Sequence, residues 1–317
     1  MRTRKNRDEG DGESREAKTR GRDDAETKAG ATDNHFAFTS PPAPLFARKT
    51  DRAPLIIGHR GAAAVAPENT LVSFELALAS GADGIEFDVR LARDGVPVVI
   101  HDPTLKRTAL REGTIAGLSS TELAGMDVGT WFNLRHPALA RTEYARAGIP
   151  TLAGIFERLG AEKALLYVEL KCGPEDREGL AEAVAALVGA HSLAARVVVE
   201  SFDLDAIALV KRMDSGIRTA ALFDRRLSRP LPLTGKMIEQ ARACGAQELA
   251  LHHSLATRRA VREAGRHGLE TVVWTADNPA WVERAIEHGI HAIITNDPAR
   301  LSARRALTPE WIAQKHS

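Results

Sequence analysis

From Pro54 onward, eight short runs of β-branched and aliphatic residues alternate with longer amphipathic stretches, and this rhythm restricts the fold more than any other feature of the chain. Such alternation builds βαβ units: each short run makes a strand buried on both faces, and each amphipathic stretch covers the sheet on its way to the next parallel strand. The predicted strands are Leu55 to Gly58, Gly84 to Val89, Ala164 to Leu170, Arg196 to Ser201, Thr219 to Phe223, Glu248 to His252, Thr271 to Trp274 and Ala292 to Thr295. Helical periodicity fills the intervals, starting with Thr70 to Ala79 and closing with Pro298 to Arg305. Several of these stretches end at glycine (Gly81, Gly160, Gly245, Gly268, Gly289), as helix C-termini prefer. Eight strand–helix pairs in about 250 residues match the length and rhythm of an α/β fold of the (β/α)8 TIM barrel type. An open, doubly wound sheet is the competing arrangement.

The rhythm breaks once, between His101 and Pro150, where the apolar Val96 to Ile100 resembles the return strand of a hairpin and is followed by a stretch carrying Trp131 and Phe132. We read residues 103–150 or so as a small insertion after strand two. Residues 1–34 hold no large apolar side chain beyond Met1, so ordering them would cost more entropy than burial returns, and residues 1–52 read as a disordered charged tail and linker. The barrel then occupies residues 53–305, with 306–317 as a C-terminal extension. A formal net charge of +1 gives no electrostatic reason to expect a nucleic acid or an anionic membrane as partner. No apolar run approaches the roughly 20 residues of a membrane-spanning helix, and the start has no secretory h-region. With Cys172 and Cys244 far apart in sequence, the expectation is a cytoplasmic protein without stable membrane insertion. The sequence carries no signal for oligomeric state.

Active sites of such barrels gather at the C-terminal ends of the strands, and chemistry-capable residues recur there. Strand one ends in Gly58-His59-Arg60-Gly61, strand two in Glu86-Phe87-Asp88, and the third in Glu169-Leu170-Lys171. Residues at i and i+2 project to the same side of a strand, so Glu86 and Asp88 share one face. Three carboxylates converging on one mouth repel unless a cation sits among them, and oxygen-only donors select a hard ion such as Mg²⁺ or Ca²⁺. Glu86, Asp88 and Glu169 are therefore candidate metal ligands; the bland alternative is ion pairing with Arg60, Lys171 or Arg90. His59 and His101 are candidate acid/base groups, since an imidazole titrates near neutrality. Arg60 and Lys171 suit phosphate oxygens.

Together His59-Arg60-Gly61, Pro67-Glu68-Asn69-Thr70, Gly81 to Val89, Asp94-Gly95, Val98 to Asp102, Leu105 to Thr108 and Val168 to Lys171 resemble the glycerophosphodiester phosphodiesterase family, over about Pro54 to Leu301. The resemblance implies a barrel with an insertion after strand two and metal-dependent hydrolysis of small-molecule glycerophosphodiesters, of choline or ethanolamine type, to sn-glycerol 3-phosphate and an alcohol. It implies acid/base roles for His59 and His101, a divalent ion on Glu86, Asp88 and Glu169, and phosphate contacts from Arg60 and Lys171. Trp274, at the end of the seventh strand, matches a family aromatic beside the glycerol, with rim packing as its alternative. Glu68 is expected to support Arg60 or the metal shell, and Asn69 to cap the following helix. Either His252 or His253 could face the mouth, and Cys172 reads as a small side chain, not a nucleophile. Two departures stand out: Ala153-Gly154 replaces a usual acidic residue, which touches local packing, and Ala276-Asp277 replaces the usual Val-Asn, which bears on substrate preference. Two other functions fit the same core. A lysophospholipase D would need an apolar channel, for which Trp131 and Phe132 are the candidates; a non-catalytic phosphate-binding barrel would be expected to have lost one of the five site residues His59, His101, Glu86, Asp88 and Glu169.

Overall fold

The computed structural model describes residues 53–225, 233–309 and 311, so the predicted tail at 1–52 and most of the predicted C-terminal extension lie outside the described residues. The strands are β1 (Leu55–His59), β2 (Gly84–Leu91), β3 (Pro97–Val99), β4 (Leu165–Leu170), β5 (Val197–Ser201), β6 (Arg218–Phe223), β7 (Glu248–His252), β8 (Glu270–Trp274) and β9 (Ala292–Thr295). The helices are α1 (Leu71–Ala79), α2 (Ser120–Ala124), α3 (Thr130–Arg135), α4 (Leu152–Leu159), α5 (Arg177–Ala190), α6 (Leu204–Met213), α7 (Thr234–Ala243), α8 (Arg258–Arg266), α9 (Trp281–His288) and α10 (Pro298–Arg305). All neighbours in the ring β1-β2-β4-β5-β6-β7-β8-β9 pair in parallel, and β1 pairs with both β2 and β9. That double pairing closes the sheet and decides for the barrel against the open sheet.

Alternation along each strand sorts the side chains. Ile57, Tyr167, Val198, Ala250 and Val272 point inward and fill the barrel. Their neighbours, among them Ile56, Phe87, Val168, Val199 and Leu249, point outward and pack under the helices. Both faces are dry, and each fully buried Ile, Val, Leu or Phe contributes roughly 1.5–3 kcal/mol. Helix starts follow the same local chemistry: the side chains of Thr151 and Thr257 accept hydrogen bonds from the N–H groups of Gly154 and Ala260. The replacement at 153–154 is thus confined to this cap. One cap differs from expectation. Thr70, not Asn69, caps α1, accepting from Ser73, while Asn69 takes φ 57° and turns toward β2.

The stretch Val96 to Ile100 does form a hairpin, with β3 antiparallel to the far end of β2 (Val89 opposite Val99, Leu91 opposite Pro97). The insertion after it is folded around its own apolar cluster, including Leu105, Ile115, Leu123, Val128 and Ile149. Phe132 is 1 % exposed and packs edge-on against Tyr144. Trp131 donates from its indole nitrogen to the Val128 carbonyl at 2.8 Å. Both aromatics named for an acyl channel are therefore used to hold the insertion together. Among the described residues, no helix is long and apolar enough to cross a membrane.

Candidate active site

After His59 the backbone makes a left-handed turn at both Arg60 (φ 51°) and Gly61 (φ 86°). A side chain on Gly61 would meet the backbone of Ser73 at 2.6 Å, so only glycine lets α1 pack this close. The unusual φ at Arg60 costs about 1–3 kcal/mol and is held by three hydrogen bonds. Its N–H donates to Glu86 Oε2 at 3.1 Å, and its carbonyl accepts from Ser73 Oγ and the Asn69 N–H at 3.0 and 3.1 Å. The turn aims the guanidinium across the mouth: Arg60 Nε lies 3.1 Å from Asp88 Oδ2, and Nη1 lies 2.7 Å from Glu68 Oε1. Glu68 thus orients Arg60, and it also accepts two bonds of 2.7 Å from Arg107. Arg107 in turn donates to Asp102 at 2.6 Å, and Asp102 Oδ1 sits 2.7 Å from His101 Nδ1. One chain of charges therefore links Arg60 to His101.

His59 is held differently. Its Nδ1 lies 2.7 Å from Asn296 Oδ1, after β9. Asn296 cannot be turned over, because Asp277 accepts from both its backbone N–H (2.8 Å) and its Nδ2 (2.9 Å). With Asn296 presenting an oxygen, His59 Nδ1 must carry the proton, and Nε2 presents its lone pair 3.8 Å from Glu86 Oε2. Burial, with the Arg60 charge added, pushes the imidazole down to about 4, so it is neutral at pH 7. Asp277, the departure that the sequence associated with substrate preference, is thus two contacts from this histidine.

The carboxylates converge as alternation predicts, with one addition. Oxygens of Glu86, Glu169 and Glu200 lie within 4.8 Å of one another. Asp88 is drawn aside, accepting from Asn69 Nδ2 at 2.8 Å and pairing with Arg60 and, through Oδ1, with Lys171 Nζ at 3.1 Å. Lys171 also pairs with Glu169 at 2.6 Å. Arg90, the third cation considered, donates instead to the carbonyls of His101 and Lys171. Burial raises the Asp88 carboxyl, but Arg60 and Lys171 overcome it and hold it well below the usual carboxylate range. Burial and the neighbouring acids raise Glu86 and Glu200, and Glu169 is pushed up to about 7, chiefly by burial. Four buried carboxylates thus face two cations, an excess of acid that favours proton uptake when no ion is bound, while Glu86 Oε1 and Glu200 Oε2 have no hydrogen-bond partner. An oxygen-only set with that excess of acid fits one hard divalent cation, which would displace the protons.

An aromatic wall flanks the site. Trp274 meets Phe202 and His252 edge-on, with ring centres 5.4 and 5.3 Å apart, and Lys171 Nζ lies 5.8 Å from the Phe202 ring. His252 shares the inward register of Trp274, whereas His253 bonds the Thr275 carbonyl at the rim. Cys172 stays protonated, its thiol pushed up to about 11 by burial.

The profile of the Glycerophosphoryl diester phosphodiesterase family matches residues 59–300, which run from the first histidine of this site to α10. The chain belongs to this family. It is therefore an enzyme of the phosphodiesterase class by descent. A glycerophosphodiester phosphodiesterase from Caldanaerobacter subterraneus subsp. tengcongensis is 32 % identical over 247 residues, 78 % of this chain and 96 % of that protein. One from Bacillus subtilis is 29 % identical, over 77 % of this chain and 84 % of its own. Among solved structures, an Oleispira antarctica phosphodiesterase in complex with the product sn-glycerol-3-phosphate superposes with TM-score 0.69 at 26 % identity, covering 80 % of this chain and 96 % of that one. A glycerophosphodiester phosphodiesterase from Agrobacterium tumefaciens superposes with TM-score 0.64 at 30 % identity, over 79 % and 99 % of the two chains.

All nine residues singled out by the sequence lie on the mouth side of this family's barrel. Sequence reasoning missed Glu200 and Asn296, quoted Asp102 and Arg107 within motifs without giving them a role, and did not foresee how Asp277 and Asn69 brace the site. Glu200 had an available signal: it stands two residues after the inward-facing Val198, on the same side of β5.

Proposed function

We propose that this family member hydrolyses glycerophosphodiesters, such as those of choline or ethanolamine, to sn-glycerol 3-phosphate and a free alcohol. The observation that carries the reading is the excess of buried acids at the mouth, four carboxyl groups against Arg60 and Lys171, beside two histidines whose Nδ1 atoms are both committed. Family membership supports the reading, as does the product held by the Oleispira antarctica relative. A divalent ion held by Glu86, Asp88 and Glu169 would supply positive charge to the phosphoryl oxygens.

The chain's own groups divide the remaining work. His59 is neutral and offers only a lone pair at Nε2, so it takes the proton of the attacking hydroxyl, either the substrate's neighbouring hydroxyl or water. Burial lowers the His101 imidazole, with Asp88 and the Asp102 carboxylate on Nδ1 working against it, and this carboxylate support, which His59 lacks, assigns His101 the acid role of handing an Nε2 proton to the alkoxide as the P–O bond breaks. Arg60 keeps Nη2 available beyond its pairs with Asp88 and Glu68, and Lys171 stands opposite across Asp88; both suit equatorial phosphate oxygens. Trp274 offers an apolar face to the glycerol carbons. The lysophospholipase D reading loses part of its support, since Phe132 is buried against Tyr144 and Ala66, and Trp131 is half-buried with its indole N–H on the Val128 carbonyl. The non-catalytic reading is disfavoured by the intact set His59, His101, Glu86, Asp88 and Glu169.

The test is release of glycerol 3-phosphate from glycerophosphocholine by the purified chain, after EDTA and again after Mg²⁺ or Ca²⁺ is restored. Metal-dependent release is expected. No release with either ion, while lysophosphatidylcholine is cleaved, would transfer the assignment to the longer substrate.

A further inference from the structure

Glu200 is a fully buried carboxylate at the mouth to which neither the sequence motifs nor the proposed chemistry assigns a task. It lies on β5 as the Cα partner of Glu169 on β4, so two acids stand directly opposite on adjacent strands, an arrangement that is destabilising unless something positive lies between them. It is 1 % exposed. Its Oε2 has no hydrogen-bond partner, and among the described residues no Lys, Arg or His forms an ion pair with it. Lys171, the nearest cation by topology, is committed to Asp88 and Glu169. A barrel that needed only filling at this layer would place an apolar side chain here, as it does one layer below at Val198.

The geometry supplies the missing positive charge. An ion with oxygen ligands at roughly 2.0–2.6 Å keeps any two of them within about 5 Å of each other. Oxygens of Glu200, Glu86 and Glu169 already satisfy that condition, lying within 4.8 Å of one another, and two of these three residues are the ligands read from sequence. Asp88, the third of those, is partly drawn away by Asn69, Arg60 and Lys171. We infer that Glu200 is a further carboxylate ligand of the divalent cation, joining Glu86, Asp88 and Glu169. This rests on the proposed reading that a cation binds at the mouth.

The test is titration calorimetry of MgCl₂ and CaCl₂ into the metal-stripped full chain and into Glu200→Gln, with thermal unfolding of both proteins with and without metal. Glutamine keeps the shape and removes the charge. The expected result is affinity weakened roughly 10- to 100-fold for the ion that binds. The metal-free variant should melt above the metal-free wild type, because repulsion with Glu169 is relieved, and metal should raise its Tm less. Affinity within twofold of wild type, or a metal-free Tm that falls while affinity holds, overturns the inference and makes Glu200 a packing residue. If the glutamine variant does not fold, Glu200→Asp keeps the charge but withdraws it by one methylene; unchanged affinity there overturns the inference equally. A wild-type chain that binds neither ion removes the proposed cation itself, whereas wild-type binding with an unaffected variant removes only the role of Glu200.

Discussion

Carboxylates occupy the inside of this barrel at both ends, and they are neutralised in different ways. At the N-terminal end, Arg218 at the start of β6 donates from Nε to Glu248 at 2.7 Å and from Nη2 to Glu270, with His291 3.6 Å from Glu270. At the C-terminal end, Glu86, Asp88, Glu169 and Glu200 share only Arg60 and Lys171. The first cluster carries its cation covalently, on a planar fork that matches two carboxylates, so it is a structural plug. The second gathers its acids beside His59 and His101, with three glutamate oxygens within 4.8 Å of one another, an arrangement that could hold a cation. Both ends carry two acids per cation, so what separates them is the company the acids keep: a single arginine fork at one end, and two histidines with Arg60 and Lys171 at the other.

The largest effect separating the ends is catalytic. His59→Ala and His101→Ala should each lower kcat by about 10²- to 10⁴-fold, with unfolding midpoints close to wild type; retention of most activity in either variant would falsify its acid/base role. The converse belongs to the plug. Arg218→Met strands two buried acids and should cost about 3–5 kcal/mol in urea unfolding, while kcat per folded molecule stays near wild type. Equal loss of activity and stability would erase the distinction between the ends.

Charge balance also predicts a pH dependence confined to the mouth. The Glu169 carboxyl, raised to about 7 by burial, keeps its proton below that pH in the metal-free chain, and a cation must expel it. Metal affinity should therefore strengthen with rising pH, by about tenfold between pH 6 and pH 8, with proton release detectable by calorimetry in buffers of different ionisation enthalpy. An affinity that is flat across this range contradicts the assignment. The smallest effect concerns Asp277. Asp277→Ala frees Asn296 to turn over, and kcat should fall several-fold with little change in KM. Asn296→Asp instead places a carboxylate on His59 Nδ1, raising its pKa from about 4, so the acid limb of the pH–rate profile should move upward. A profile that does not move would break the link between this pair and His59.

Much of this was legible in local patterns. All eight barrel strands appear where the short apolar runs predicted them, because a strand buried on both faces needs a nearly continuous apolar sequence whatever its neighbours are. Alternation also placed Glu86 and Asp88 on one face, and would have placed Glu200 there had it been carried through β5. The contacts of Asn69 and Asp277 were out of reach for a common reason: their partners are distant in sequence. Asn69, beside a helix start, reads as a cap, yet it bonds Asp88 on β2, 19 residues away. Asp277 acts through Asn296 on His59, a contact spanning 237 residues.

The sequence by itself determined what depends on near neighbours: the order and type of the barrel elements, and the shared face of Glu86 and Asp88 on β2. Only the tertiary structure decided what depends on closure. Once β1 pairs with β9 as well as β2, the end of the chain meets its beginning, Asn296 sets the tautomer of His59, and four strands bring their carboxylates and cations into one charge balance. Hydrogen bonds and Coulomb forces act over a few ångströms of space, not over separation along the chain, so closing the ring brings these distant residues into range.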